Sequence, residues 1–182
     1  MSKSKKADVI KSIVVLAVIC LVISGALAVV NSFTSPVIAA AAAERETQAR
    51  QAVLPEAADF EPLEQSALPE NVVSGYRGVD SAGKTAGYVF TVEGKGFDGT
   101  ISVMCAIGTD GNIINCSTLD VSSETKTLGG QTANPEYTDQ YIGQSSALDG
   151  VDSISGATIT STAYKGCVET AFAAYELVKE AE

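Results

Sequence analysis

The run Thr100-Ile101-Ser102-Val103-Met104-Cys105-Ala106-Ile107-Gly108, then Thr109-Asp110-Gly111, then Asn112-Ile113-Ile114-Asn115-Cys116 decides the architecture of this 182-residue chain. Two β-forming segments flank Asp110-Gly111, and Asp-Gly between such segments is the strongest short hairpin signal. With those two residues as the loop, Thr109 pairs with Asn112, Cys105 falls opposite Cys116 and Ile107 faces Ile114. Cys105, Cys116, Ile107 and Ile114 then share one face. In that register the cysteines form a hydrogen-bonded pair, which favours two small reduced core side chains over an exported disulfide.

Working outward, Val72-Val73 with Tyr76 and then Ala86-Gly87-Tyr88-Val89-Phe90-Thr91-Val92 read as two more strands, separated by a turn at Ser81-Ala82-Gly83-Lys84. Residues 56–70 are acidic and contain proline, and read as an irregular linker. From Ile159 to Glu182, Ala163, Cys167, Ala171, Ala174, Leu177 and Val178 recur at helical spacing, with Lys165, Glu169, Glu176 and Lys179 on other faces. A small antiparallel sheet closed by a C-terminal helix is an α+β domain.

The N-terminal part is different. Ile13 to Val30 contains no charged residue, and its 18 positions span roughly 27 Å as a helix, close to the hydrocarbon thickness of a bilayer. Lys3, Lys5, Lys6 and Lys11 precede it with Asp8 as the single acid, whereas the whole chain has a net charge of −10. Basic before and acidic after predicts a single membrane helix with its N-terminus in the cytoplasm. A cleaved signal peptide ending near Ala26-Leu27-Ala28 is the competing reading, and the length of the apolar run favours a retained anchor. Ser35-Pro36 reads as the start of a second, stalk helix that Pro55 stops. The expected organisation is a cytoplasmic N-terminus at 1–12, a transmembrane helix at 13–30, a stalk helix at 31–55 and an extracytoplasmic domain at 56–182.

Composition removes several chemistries. There is no histidine, so Ser-His-Asp triads, His-ligated zinc and imidazole acid–base catalysis are excluded. The four cysteines, at 20, 105, 116 and 167, form no C-x-x-C pair that would support a zinc ribbon or a ferredoxin-type cluster. The acidic exported part would repel nucleic acid.

Three stretches carry chemistry. In Asp152-Ser153-Ile154-Ser155-Gly156-Ala157-Thr158, Gly156 and Ala157 remove bulk just before a threonine, leaving its hydroxyl open to a large group. The helix that follows offers free backbone N–H groups to an anion, and Thr160, Ser161 and Thr162 add hydroxyl donors. Read blandly, the same residues are a helix cap. Gly94-Lys95-Gly96-Phe97-Asp98-Gly99 is either a close-approach loop or a plain strand connection. Glu124-Thr125-Lys126-Thr127-Leu128-Gly129-Gly130 is either a binding loop or a polar end to a strand.

In this order the three resemble the FMN-binding domain family, which places Gly-x-Gly-aromatic-x-Gly and Glu-Thr-Pro-Gly-Leu-Gly segments ahead of Asp-x-x-Ser/Thr-Gly-Ala-Thr. The third motif matches fully; in the second, Lys126 stands where proline is usual and Thr127 where glycine is usual. The likeness extends over essentially the whole chain, to the G subunits of Rnf electron-transport complexes, with the C subunits of sodium-pumping NADH:quinone reductase as sisters. The resemblance implies FMN joined covalently to Thr158 through a phosphoester made by a separate flavin transferase. It also implies flavin contacts from Ser155, Gly156, Ala157, Thr160, Ser161, Glu124, Thr125, Leu128, Gly129, Gly96 and Phe97. It implies a membrane-bound electron-transfer subunit that works with the other Rnf subunits, A, B, C, D and E. That complex couples electron flow between ferredoxin and NAD to movement of sodium ions or protons. A C subunit of the sodium-pumping reductase, another exported FMN carrier and a non-redox binding module are the alternatives.

Overall fold

The computed structural model describes residues 3–181, and the side chains from residue 10 to residue 181. The chain forms two compact units, Met1–Glu44 and Arg45–Glu182. Helix α1 covers Lys3–Val53 as one element and runs through Pro36. The sequence places a helix start at Ser35-Pro36; the structure has none there. Proline deprives only one preceding carbonyl of its partner, and a long helix can absorb that loss. The hydroxyls of Ser32 and Thr34 fold back on the carbonyls of Val29 and Val30. From Ile13 to Val30 the apolar side chains of α1 are exposed on every face, and the helix is long and apolar enough to cross a membrane.

The second unit is a five-stranded antiparallel meander in the order β1-β2-β3-β4-β5. Its strands are β1 (Asp59–Pro62), β2 (Val72–Val79), β3 (Thr85–Lys95), β4 (Thr100–Gly108) and β5 (Ile113–Asp120). Strand β1 lies inside the stretch read as an irregular linker. It is short, mostly exposed and ends in proline, which an edge strand tolerates because one side of its ladder is unused. After a polar loop come a 3-10 turn at Gly129–Ala133, helix α2 (Pro135–Thr138) and helix α3 (Thr158–Ala181).

Both faces of the sheet are covered, which is why β3 and β4 read as nearly unbroken apolar runs. On one face α3 packs Tyr164, Cys167, Val168, Ala171 and Tyr175 against Tyr88, Phe90, Val92, Val103 and Ile107. On the other, Val53, Leu54 and Ala57 meet Val89, Met104 and Ala106. Arg50 adds to that second layer: its guanidinium carbon sits 3.6 Å from the Tyr76 ring centroid, and the group pairs with Glu46 at 3.5 Å.

The β4–β5 hairpin corrects the expected register at its tip. The loop is Thr109-Asp110-Gly111, closed by the Gly111 N–H donating to Gly108 and the Gly108 N–H donating to Asn112. Gly111 takes φ +83°, the left-handed position of a three-residue loop. Ile107 therefore pairs with Ile113, not Ile114. A bulge at Ile114 then restores Ala106 to Asn115 and Cys105 to Cys116. Ile113 accordingly joins the α3-side core, and Ile114 packs on the opposite face. The two thiols are buried and free, with their sulfurs 3.4 Å apart. The proton that Cys116 shares with Cys105 raises its pKa well above the usual thiol value, and burial adds to the rise.

Candidate functional site

The first turn of α3 is shaped by what comes just before it. The Ala157 N–H donates to the Ile154 carbonyl at 3.0 Å, closing a turn in which Gly156 has φ +80°. A left-handed third residue is the requirement of a type II turn and is why glycine stands there. The Ala157 carbonyl then accepts the first helical bond, from Ser161 N–H at 2.9 Å. An alanine therefore occupies the cap position, and the bland cap reading of Asp152, Ser153 or Ser155 is not the arrangement found. Without a side-chain cap, the N–H groups of Thr158, Ile159 and Thr160 lack helical partners and point out of the helix start.

That start opens into a cavity of about 330 Å³, within the range of small-molecule sites. It is lined by Phe97 from the β3–β4 loop, by Glu124, Thr125, Leu128 and Gly129 from the loop after β5, and by Gly156, Ala157, Thr158, Ile159 and Thr160. Of the twelve residues singled out from the sequence, nine meet here. Thr158 is exposed. Phe97, at 72% exposure, stands with the exposed Leu128 and Ile159 as apolar walls around the mouth.

Three expected contacts lie elsewhere. Ser161 is buried; its hydroxyl accepts the Ile154 N–H at 3.1 Å and its carbonyl accepts the Tyr137 hydroxyl at 3.3 Å, so it braces the turn. Ser155 is exposed on the turn and does not line the cavity. Gly96 faces Glu124: a Cβ there would lie 2.4 Å from Oε1. Ile159 went unread. The signal for it was a bare apolar residue between two threonines at a helix start, where the first turn is normally solvated.

Glu124 holds the floor. Its Oε2 accepts the Thr160 hydroxyl at 2.7 Å, and its Oε1 accepts the Asp98 N–H at 3.0 Å. Desolvation is the largest single influence on its pKa and pushes it up. Donation by the Asp98 N–H, the Thr160 hydroxyl and the Phe97 and Gly99 N–H groups together outweighs it, and the carboxyl ends below its ordinary value. At neutral pH the group is a carboxylate.

The turn yields a test of its own. Gly156→Val puts a β-branched residue at positive φ, with its Cβ 3.3 Å from Leu128 Cδ2. Strain of this kind costs about 1–3 kcal/mol, so the melting temperature falls by roughly 3–10 °C. Gly156→Asn, which tolerates the left-handed region, falls by much less. Equal melting of the two variants would contradict the assigned turn.

Residues 96–173 match the FMN-binding domain model. The chain is 35% identical over 181 residues to the G subunit of the ion-translocating oxidoreductase complex of Methanosarcina acetivorans, covering 94% of this chain and 95% of that one. It is 32% identical to the G subunit of the sodium-translocating ferredoxin:NAD oxidoreductase complex of Acetobacterium woodii, covering 89% of each. A shorter likeness, 32% identity over 92 residues, joins 40% of this chain to 36% of the C subunit of the sodium-translocating NADH-quinone reductase of Vibrio alginolyticus.

Proposed function

This chain belongs to the family of G subunits of ion-translocating oxidoreductase complexes, and from that premise we propose that it is a flavin-carrying electron-transfer subunit of such a complex. One FMN is joined to the Thr158 hydroxyl. The complex passes electrons between ferredoxin and NAD and couples their flow to sodium-ion or proton movement. Its other membrane subunits are the electron partners of this one, and a separate flavin transferase loads it. The apolar part of α1 anchors the chain once, with the N-terminus in the cytoplasm and the sheet domain on the other side.

The observation that supports this reading is the meeting of three stretches, far apart in sequence, around one exposed threonine hydroxyl at an uncapped helix start. The residues present fit the group. A phosphoester on Thr158 Oγ1 would lie beside the free N–H groups of the first turn, whose dipole favours an anion. Gly156 and Ala157 keep bulk away from that oxygen. Phe97, Leu128 and Ile159 offer flat apolar contact, and the Thr125 side chain and loop backbone offer polar edges. When bound, FMN supplies the ability to take and give electrons singly, which suits a relay between two carriers. The protein's part is to hold that group at the surface, where a neighbour can reach it, and a covalent link prevents its loss from an open site.

The native protein run on a denaturing gel should fluoresce under ultraviolet light, since only a covalent flavin survives denaturation. A dark band refutes covalent attachment. Orientation has a separate test. A reporter active only outside the cytoplasm, fused after Glu182, should be active, and one that works only inside should be silent. The reverse pattern overturns the proposed topology.

A further inference from the structure

Sequence resemblance makes Glu124 a flavin contact, but its bonds point into the protein. Both carboxylate oxygens are committed, to the Thr160 hydroxyl at 2.7 Å and the Asp98 N–H at 3.0 Å, with the Phe97 and Gly99 N–H groups also directed at them. Those donors come from the β3–β4 loop and from α3, while Glu124 itself sits in the loop after β5. One side chain therefore joins the three segments that build the cavity. A carboxylate suits the position, because the backbone N–H groups aimed at it can only donate and a carboxylate is purely an acceptor.

Two glycines make room for it. A Cβ at Gly96 would lie 2.4 Å from Oε1, and one at Gly129 would lie 2.3 Å from Oε2. The carboxylate, joined at Gly129 by the Thr160 hydroxyl 2.8 Å from the same point, accounts for the smallness of these positions. Glu124 is only 6% exposed, yet it is the one charged side chain among the described residues lining the cavity.

We propose that Glu124 is the positioning residue of this site, tying the three segments into one cradle and leaving a fixed negative charge beside the flavin. The second half rests on the FMN reading; the first does not. A fixed negative charge opposes electron uptake by a neighbouring group, so it holds the flavin at a lower potential than a neutral residue would.

Two experiments on the full-length chain in detergent separate these parts. In the flavin-loaded protein, Glu124→Gln should shift the one-electron equilibrium about tenfold toward reduction, a positive move of ~59 mV. Its melting temperature should also fall by several degrees, because the amide sets an N–H2 group against one of the donors that Glu124 accepts. An unchanged potential overturns the electrostatic role. In protein made without flavin transferase, Gly96→Ala should lower the melting temperature by about 5 °C or more, because its Cβ displaces a carboxylate from its bonds to the Thr160 hydroxyl and the Asp98 N–H. In a Glu124→Ala background the same change should cost less than half as much. Additive losses overturn the positioning role. A parent chain that takes up no flavin would refute the FMN reading, and the melting cycle would still decide the positioning role.

Discussion

Thr158→Ala is expected to abolish flavin attachment completely while leaving the fold intact. The parent chain, co-expressed with a flavin transferase, should gain roughly 438 Da, one FMN less one water. The variant should keep its unmodified mass. The argument is steric and chemical together. Thr158 is exposed, follows Gly156 and Ala157, and is the first residue of α3, so its hydroxyl is unobstructed. Of the other hydroxyls nearby, Ser155 and Thr162 are exposed but lie outside the cavity lining, and those of Thr160 and Ser161 are spent or hidden. Thr160 is buried and donates to Glu124, and Ser161 is buried and accepts the Ile154 N–H. Neither can substitute as an acceptor without breaking the floor or the turn. Alanine at the first helical position costs little in stability, because the threonine side chain has no partner there that the fold needs. A variant that still carries flavin would move the attachment to another residue and overturn the account of this turn.

The second large effect is structural. Tyr164 is 0% exposed and lies one helical turn beyond Thr160. Its ring meets Tyr137 edge-on at 5.3 Å and Tyr141 at 5.2 Å between centroids, and these tie the start of α3 to α2 and the turn after it. Tyr164→Ala removes a large ring from a packed layer that cannot collapse into the space. Losses of about 3–5 kcal/mol follow from such changes. That is a large share of the roughly 5–15 kcal/mol that holds a domain of this kind together. The melting temperature should therefore fall by more than ~10 °C. A shift of less than ~2 °C would show that this layer does not support the helix as its packing implies.

The parts of this molecule that were legible in the sequence are those where one local rule decides. Asp110-Gly111 fixed a hairpin, and apolar spacing fixed α3. Small residues before Thr158 marked the open hydroxyl. What was hidden depended on packing at a distance. The two-residue loop gave way to a three-residue one, and the bulge at Ile114 took up the difference, so Ile113 faces the core where Ile114 was expected. Asp59–Pro62 forms a strand only because β2 offers it a free edge. Pro36 sits within α1, where a long helix absorbs the one missing backbone bond. At the site, motif spacing picks out Gly96, Glu124 and Ser161 but does not say what each touches. Gly96 yields space to Glu124, Glu124 bonds inward, and Ser161 holds the turn. These are three-dimensional relations between segments up to 36 positions apart.

The central claim is that the outward hydroxyl of Thr158 bears the flavin. It is tested most directly by fragmenting the C-terminal peptides of the protein isolated from its own cells and locating any added mass. One FMN on Thr158, and none on Thr160, Ser161 or Thr162, is the predicted result. An unmodified peptide containing Thr158, in protein that is otherwise intact, would contradict it.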